Sequence, residues 1–119
     1  MAQADFVHRH VHSEYSILDG ACRVDDLVKR AAEFEMPAVT LTDHGSMAGA
    51  VQLWKQSKGT GVKPVIGCEV YVAANRKAHE KGNAHRTLLA ADNTGYSNLI
   101  KLSSLGYLEG YYYKPRVDW

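Results

Sequence analysis

Ala38-Val39-Thr40-Leu41-Thr42-Asp43-His44-Gly45 is an apolar run that stops at a carboxylate, an imidazole and a glycine. A short apolar run of this kind suits a strand covered on both faces, and the polar residues after it suit the loop beyond the strand's C-terminal end. Upstream, Asp25 to Met36 reads as a helix with Leu27, Ala31 and Phe34 on one stripe, Asp25 as its N-cap and Pro37 as its stop. Glu35 stands at this helix end, before Met36-Pro37, and if the backbone there is left-handed, glutamate costs about 1 kcal/mol relative to glycine.

Downstream, Ser46 to Lys58 reads as a second helix, with Met47, Ala50, Val51 and Trp54 at core spacing and Gly59 and Gly61 past its end. Pro64 to Val72 is rich in strand-favouring residues, Asn75 to Asn83 is a polar loop, and His85 to Ala90 reads as another strand. Thr94 opens a third helix carrying Leu99, Leu102 and Leu105, and Phe6 to Val11 reads as a first strand. Strands alternating with helices predict an α/β fold whose parallel sheet is covered by helices.

The ligand-type residues gather at strand ends, where such folds place their sites. In His10-Val11-His12-Ser13-Glu14-Tyr15-Ser16 the two histidines stand at i and i+2, so an extended backbone turns both imidazoles to one side. Asp19 and Gly20 follow, and Asp43 and His44 end the next strand. Glu69 lies within the third strand and His85 opens the fourth. Imidazoles and carboxylates are donors that zinc or manganese accept, and one carboxylate can span two ions. Two such ions would acidify a bound water and neutralise a phosphodiester. No Ser-His-Asp spacing and no phosphate-cradling glycine loop competes with a metal site.

The bulk properties frame this reading. At 119 residues and 45% hydrophobic content the chain has material for one core and not for two. Net charge is +1, with acids concentrated between His10 and Gly45 and bases between Lys55 and Arg86. No signal-like opening and no membrane-length apolar run is present, so the chain is read as cytoplasmic, with no membrane partner. Cys22 and Cys68 are read as reduced core thiols, Trp54 as core, His8 as scaffold and His79 as a solvated loop residue. Tyr111-Tyr112-Tyr113, beside Lys114 and Arg116, is read as core or as a surface shared with further chain rather than as a nucleic-acid stacking platform.

Three ordered segments carry a family resemblance: His10-Val11-His12-Ser13 with Ser16, Asp19 and Gly20; Thr42-Asp43-His44-Gly45; and Lys63-Pro64-Val65-Ile66-Gly67-Cys68-Glu69-Val70. Together with His85 to Ala90 and Thr94 to Arg116, they resemble the polymerase and histidinol phosphatase (PHP) domain family, in the form attached to bacterial replicative DNA polymerases. The resemblance implies a distorted (β/α)7 barrel holding up to three zinc or manganese ions. It implies metal ligation by His10, His12, Asp19, His44, Glu69 and His85, with Glu69 bridging, and a supporting hydrogen-bonding role for Asp43.

The family barrel also takes a further histidine and an Asp-x-His pair from later strands, positions that would lie beyond Trp119, so residues 1–119 correspond to the first half of a PHP barrel. Such a half is expected to have little catalysis of its own and to associate through its open strand edge. Two functions follow from the resemblance. One is a metal-dependent phosphoesterase acting on DNA as a 3′ to 5′ proofreading exonuclease; the other is a silent scaffold that stabilises the polymerase chain and docks a separate exonuclease.

Overall fold

The computed structural model describes residues 6–119. Helix α1 spans Val24–Glu33 and strand β1 spans Ala38–Leu41. The helix starts one residue before the expected Asp25 cap, because Val24 is drawn fully into the core with Val28 and Ala31. Arg23 takes the cap position without a side-chain hydrogen bond to the helix backbone, and Asp25 and Asp26 sit in the first turn, where the helix dipole favours them. At the other end the amide of Met36 donates to the carbonyl of Ala31 and that of Glu35 to Ala32. This pattern requires a left-handed residue, and Glu35 has φ 53°.

Helix α2 spans Ala50–Ser57, four residues shorter at its start than expected. Residues 46–49 form a turn closed by Ala48 N to Ser46 Oγ, in which Gly49 lies against Leu41 and Tyr15 too closely to admit a side chain. Ala50, Leu53 and Ser57 face inward, which turns Val51 and Trp54 outward. Trp54 is therefore not a core residue: it is 49% exposed, with the Lys58 ammonium 3.6 Å from its ring centre. One core cluster joins Val24, Val28 and Ala31 of α1 to Val39 and Leu41 of β1 and Leu53 of α2.

Strand β2, Lys63–Val72, is the spine of a five-stranded sheet. Its first half runs parallel to β1, with Ala38 opposite Lys63 and Leu41 opposite Ile66. Its second half pairs with β3, Ala84–Leu89, and this pairing is antiparallel. The expected uniform alternation of parallel strands fails here because the intervening polar segment holds no helix, and a parallel return needs a longer crossover. Helix α3, Asn93–Leu108, begins at the Asp92 cap, whose carboxylate accepts the Gly95 amide. Leu99 is buried, Leu102 is half-buried and Leu105 is 37% exposed.

The chain ends in a hairpin of β4, Tyr111–Tyr112, and β5, Lys114–Val117, turned at Tyr113 with φ 61°. Strand β5 lies parallel to the end of β2, with Tyr71 opposite Arg116 and Val72 opposite Val117. The tyrosines of this hairpin are not core: Tyr111 and Tyr113 are exposed. Cys68 is buried, and burial pushes its thiol up to about 12, whereas Cys22 is exposed rather than packed in the core. Residues 6–12 form no regular strand among the described residues. Among the described residues, no helix is long and apolar enough to cross a membrane.

Candidate metal centre

The segment His10-Val11-His12 is held by one residue at the end of β1. Thr42 donates its amide to the Val11 carbonyl at 2.8 Å, and the Val11 amide donates to Thr42 Oγ1 at 2.8 Å. His10 and His12 flank this anchor, and both bring Nε2 to Glu69 Oε2. Their rings meet edge to face at 4.9 Å.

Asp43 fixes the chain that follows His12 without touching an imidazole. Its buried carboxylate accepts the amide of Ser13 at 2.6 Å, the Ser13 hydroxyl at 2.8 Å and the Ser16 hydroxyl at 2.7 Å. The Ser16 hydroxyl in turn accepts the His44 amide at 3.1 Å. Asp43 thus holds the residue that follows His12 and, through Ser16, the backbone of His44.

The 43–45 loop then runs alongside β2. Glu69 N donates to the Asp43 carbonyl at 3.0 Å and Gly45 N to the Glu69 carbonyl at 2.7 Å, which sets His44 beside Glu69. Gly45 is left-handed, φ 58°, and a Cβ there would stand 2.9 Å from Pro115 and 3.0 Å from Tyr71. On the opposite flank of β2, Thr87 pairs with Glu69 and His85 with Tyr71. Residues two apart in a strand share a face, so Glu69, Tyr71, Thr87 and His85 all do.

Glu69 is the point on which these elements converge. Its side chain is 4% exposed. Oε2 contacts His10 Nε2 and lies 3.2 Å from His12 Nε2, while Oε1 lies 2.6 Å from His85 Nδ1 and 3.3 Å from His44 Nδ1. His12 and His44 stack at 4.0 Å. Burial by itself would raise the Glu69 carboxyl, but hydrogen bonds from His10 and His85 and the positive charge available on His44 and His10 hold it below the usual carboxylate range. Asp19 stands at the rim, largely exposed, its Oδ2 3.0 Å from His44 Nε2.

Two sets of donors share Glu69: His10, His12 and Glu69, and His44, Glu69 and His85. In each, the donor atoms lie within 4.8 Å of one another. Three protein donors apiece, none of them a thiolate, suit a divalent ion that keeps an open position. His44 Nδ1 is buried with no hydrogen-bond partner although it faces Glu69 Oε1, a lone pair that a cation between the two groups would satisfy. The residues present therefore fit zinc or manganese.

The fold brings His10, His12, His44, Glu69 and His85 together and leaves Asp19 at the edge. His8 belongs to neither set and lies exposed against Phe6, and His79 lies exposed against Tyr112. Ser13, Ser16 and Tyr71 were not assigned roles from sequence. Tyr71 was within reach of strand alternation, standing two residues after Glu69.

The PHP domain family model matches residues 8–119. The chain is 49% identical to the DNA polymerase III subunit alpha of Treponema pallidum over 99% of its own length and 11% of the relative's. It is 48% identical to that of Thermus aquaticus, over 95% and 10% respectively. The chain thus spans about a tenth of the curated relatives it matches. Among solved structures, an amidohydrolase from Chromobacterium violaceum superposes on 83% of the chain and 34% of its own, with TM-score 0.56 and 22% identity. A protein from Bifidobacterium adolescentis, assigned as a metal-dependent phosphoesterase, superposes on 85% and 34%, with TM-score 0.56 and 18% identity.

Proposed function

The chain belongs to the PHP domain family, and from that premise we propose that it carries the metal-dependent phosphoesterase site of a replicative DNA polymerase chain, where it removes nucleotides from DNA 3′ ends. The observation that carries this reading is the sharing of Glu69 by two imidazole-rich donor sets. His10, His12 and Glu69 would hold one zinc or manganese ion, and His44, His85 and Glu69 another, with the Asp19 carboxylate 3.0 Å from the other ring nitrogen of His44, Nε2. Ions bound there supply an activated water and charge neutralisation at a phosphodiester.

The chain's own residues set the conditions for that chemistry. Glu69, held in its ionised form by its neighbours, keeps both oxygens available as donors. Asp43, through Ser13 and Ser16, keeps the His12 and His44 backbones in place, which is the support that ligands need to stay within a few tenths of an ångström of a productive position. Imidazoles bind cations only when neutral, so acidification competes with metal binding. The relatives are DNA polymerase III alpha subunits, which supports a role for the whole protein in DNA synthesis, and we propose DNA, the rest of the polymerase chain and a cytoplasmic setting as its context.

The test is nucleotide release from a 3′-labelled oligonucleotide by the full-length protein. Release is expected to stop on chelation and to fall by roughly a hundredfold or more in the His12→Ala, His44→Ala double variant, the size expected when metal ligation is lost. Unchanged release in that variant would contradict the proposal. A chelator that lowers the melting temperature, with no release under any condition, would instead support the scaffold role.

A further inference from the structure

Beside the Glu69 cluster opens a cleft of about 940 Å³, with His44 and His85 at one side. Lys114 is the one Lys or Arg among the described residues lining it, and it makes no ion pair with a carboxylate among the described residues. Its ammonium lies 4.5 Å from the centre of the Tyr71 ring. The same ring reaches the metal site: Tyr71 stands 4.9 Å from His85, edge to face, and lies nearly parallel to His44 at 6.3 Å. The cation is therefore one aromatic ring away from the second donor set.

Its placement is built into the fold rather than left to a free side chain. Lys114 opens β5 directly after the left-handed Tyr113, and Pro115 packs against Gly45, the residue after His44, where no Cβ could be accommodated. Tyr107 and Tyr111 also line the cleft, presenting two rings 6.0 Å apart and inclined by 29°, 50% and 56% exposed. Exposed tyrosine faces next to a lone cation are the two elements that recognise a nucleotide: every base has a π-face to stack, and every nucleotide has a phosphate.

We propose that this cleft is the nucleotide subsite of the phosphoesterase site, in which Lys114 pairs with the phosphate and Tyr107 and Tyr111 stack on the terminal base. The inference rests on the phosphoesterase reading and adds to it the residues that hold the nucleotide, with little preference among bases. Glu14 and Asp19 line the cleft as well, so Lys114 is the group that offsets repulsion of an incoming phosphate.

The experiment is equilibrium binding to the full-length protein, with manganese and after EDTA treatment, using dTMP, thymidine and inorganic phosphate as probes. Metal content is measured on the same samples. Lys114→Gln is expected to weaken dTMP and phosphate binding about tenfold, the size of one charge-assisted contact, with thymidine binding and metal content unchanged. The Tyr107→Ala, Tyr111→Ala double variant is expected to weaken dTMP and thymidine about tenfold, with phosphate unchanged. Wild-type dTMP affinity in Lys114→Gln, or no dTMP binding by metal-loaded wild type, would overturn the subsite and leave the metal reading standing. Protein that takes up no metal yet binds dTMP in a Lys114-dependent way would overturn the metal reading and support the subsite.

Discussion

Asp43→Ala is expected to destabilise the fold by about 3–5 kcal/mol, a large part of the stability of a domain this size. The Asp43 carboxylate is 1% exposed and accepts three hydrogen bonds, one from the Ser13 amide and two from the hydroxyls of Ser13 and Ser16. Hydrogen bonds to a charged acceptor contribute roughly 1.5–3 kcal/mol each, and their sum is less than additive. Truncation also leaves the fully buried Ser13 amide unpaired, so the penalty includes its desolvation. Asp43→Asn keeps the volume and one accepting oxygen and should lose roughly half as much. The check is the urea midpoint of each variant; a shift for Asp43→Ala worth less than about 1 kcal/mol would contradict the role assigned to this residue.

Arg116→Met is expected to be of the same size, about 3–5 kcal/mol, for a different reason. The Arg116 side chain is 2% exposed, and its guanidinium donates only to backbone carbonyls: Gly110 at 3.2 Å, Glu80 at 2.8 Å, Arg76 at 3.1 Å and Ala78 at 2.7 Å. It thereby folds the polar segment between β2 and β3 back onto the final hairpin. Methionine fills part of the space and leaves those carbonyls without a donor. Arg116→Lys keeps the charge but not the planar fork, so it should recover only part of the loss. The two Arg116 variants should also become cleavable by protease between residues 75 and 83. Wild-type resistance there, with an unchanged urea midpoint, would contradict the account.

The contrast between these two residues shows what a sequence can and cannot disclose. Asp43 stands in a motif with His44 and could be assigned a supporting role, although its partners, two serines and not a ligand ring, were not legible. Arg116 carried no signal, because its partners are main-chain carbonyls that any residue type supplies. The parallel pairing of β1 and β2 was legible from two apolar runs separated by a helical segment. The reversal at β3 was not, since strand composition carries no direction; only the helix-free connection hinted at it. Trp54 was misplaced because the turn at 46–49 shifts the helix start and rotates the buried stripe onto Leu53. Of the residues named from sequence, the four histidines His10, His12, His44 and His85 converge on the Glu69 carboxylate, whereas Asp19 stays at the edge.

The most direct test of that convergence is elemental analysis of the purified full-length protein after loading with zinc or manganese and desalting, wild type beside Glu69→Gln. Glutamine preserves the shape of Glu69 and removes the charge that both donor sets share. The account predicts about two or more retained ions in the wild type and loss of nearly all of them in the variant. Equal metal content in the two proteins, or none in the wild type, would contradict it.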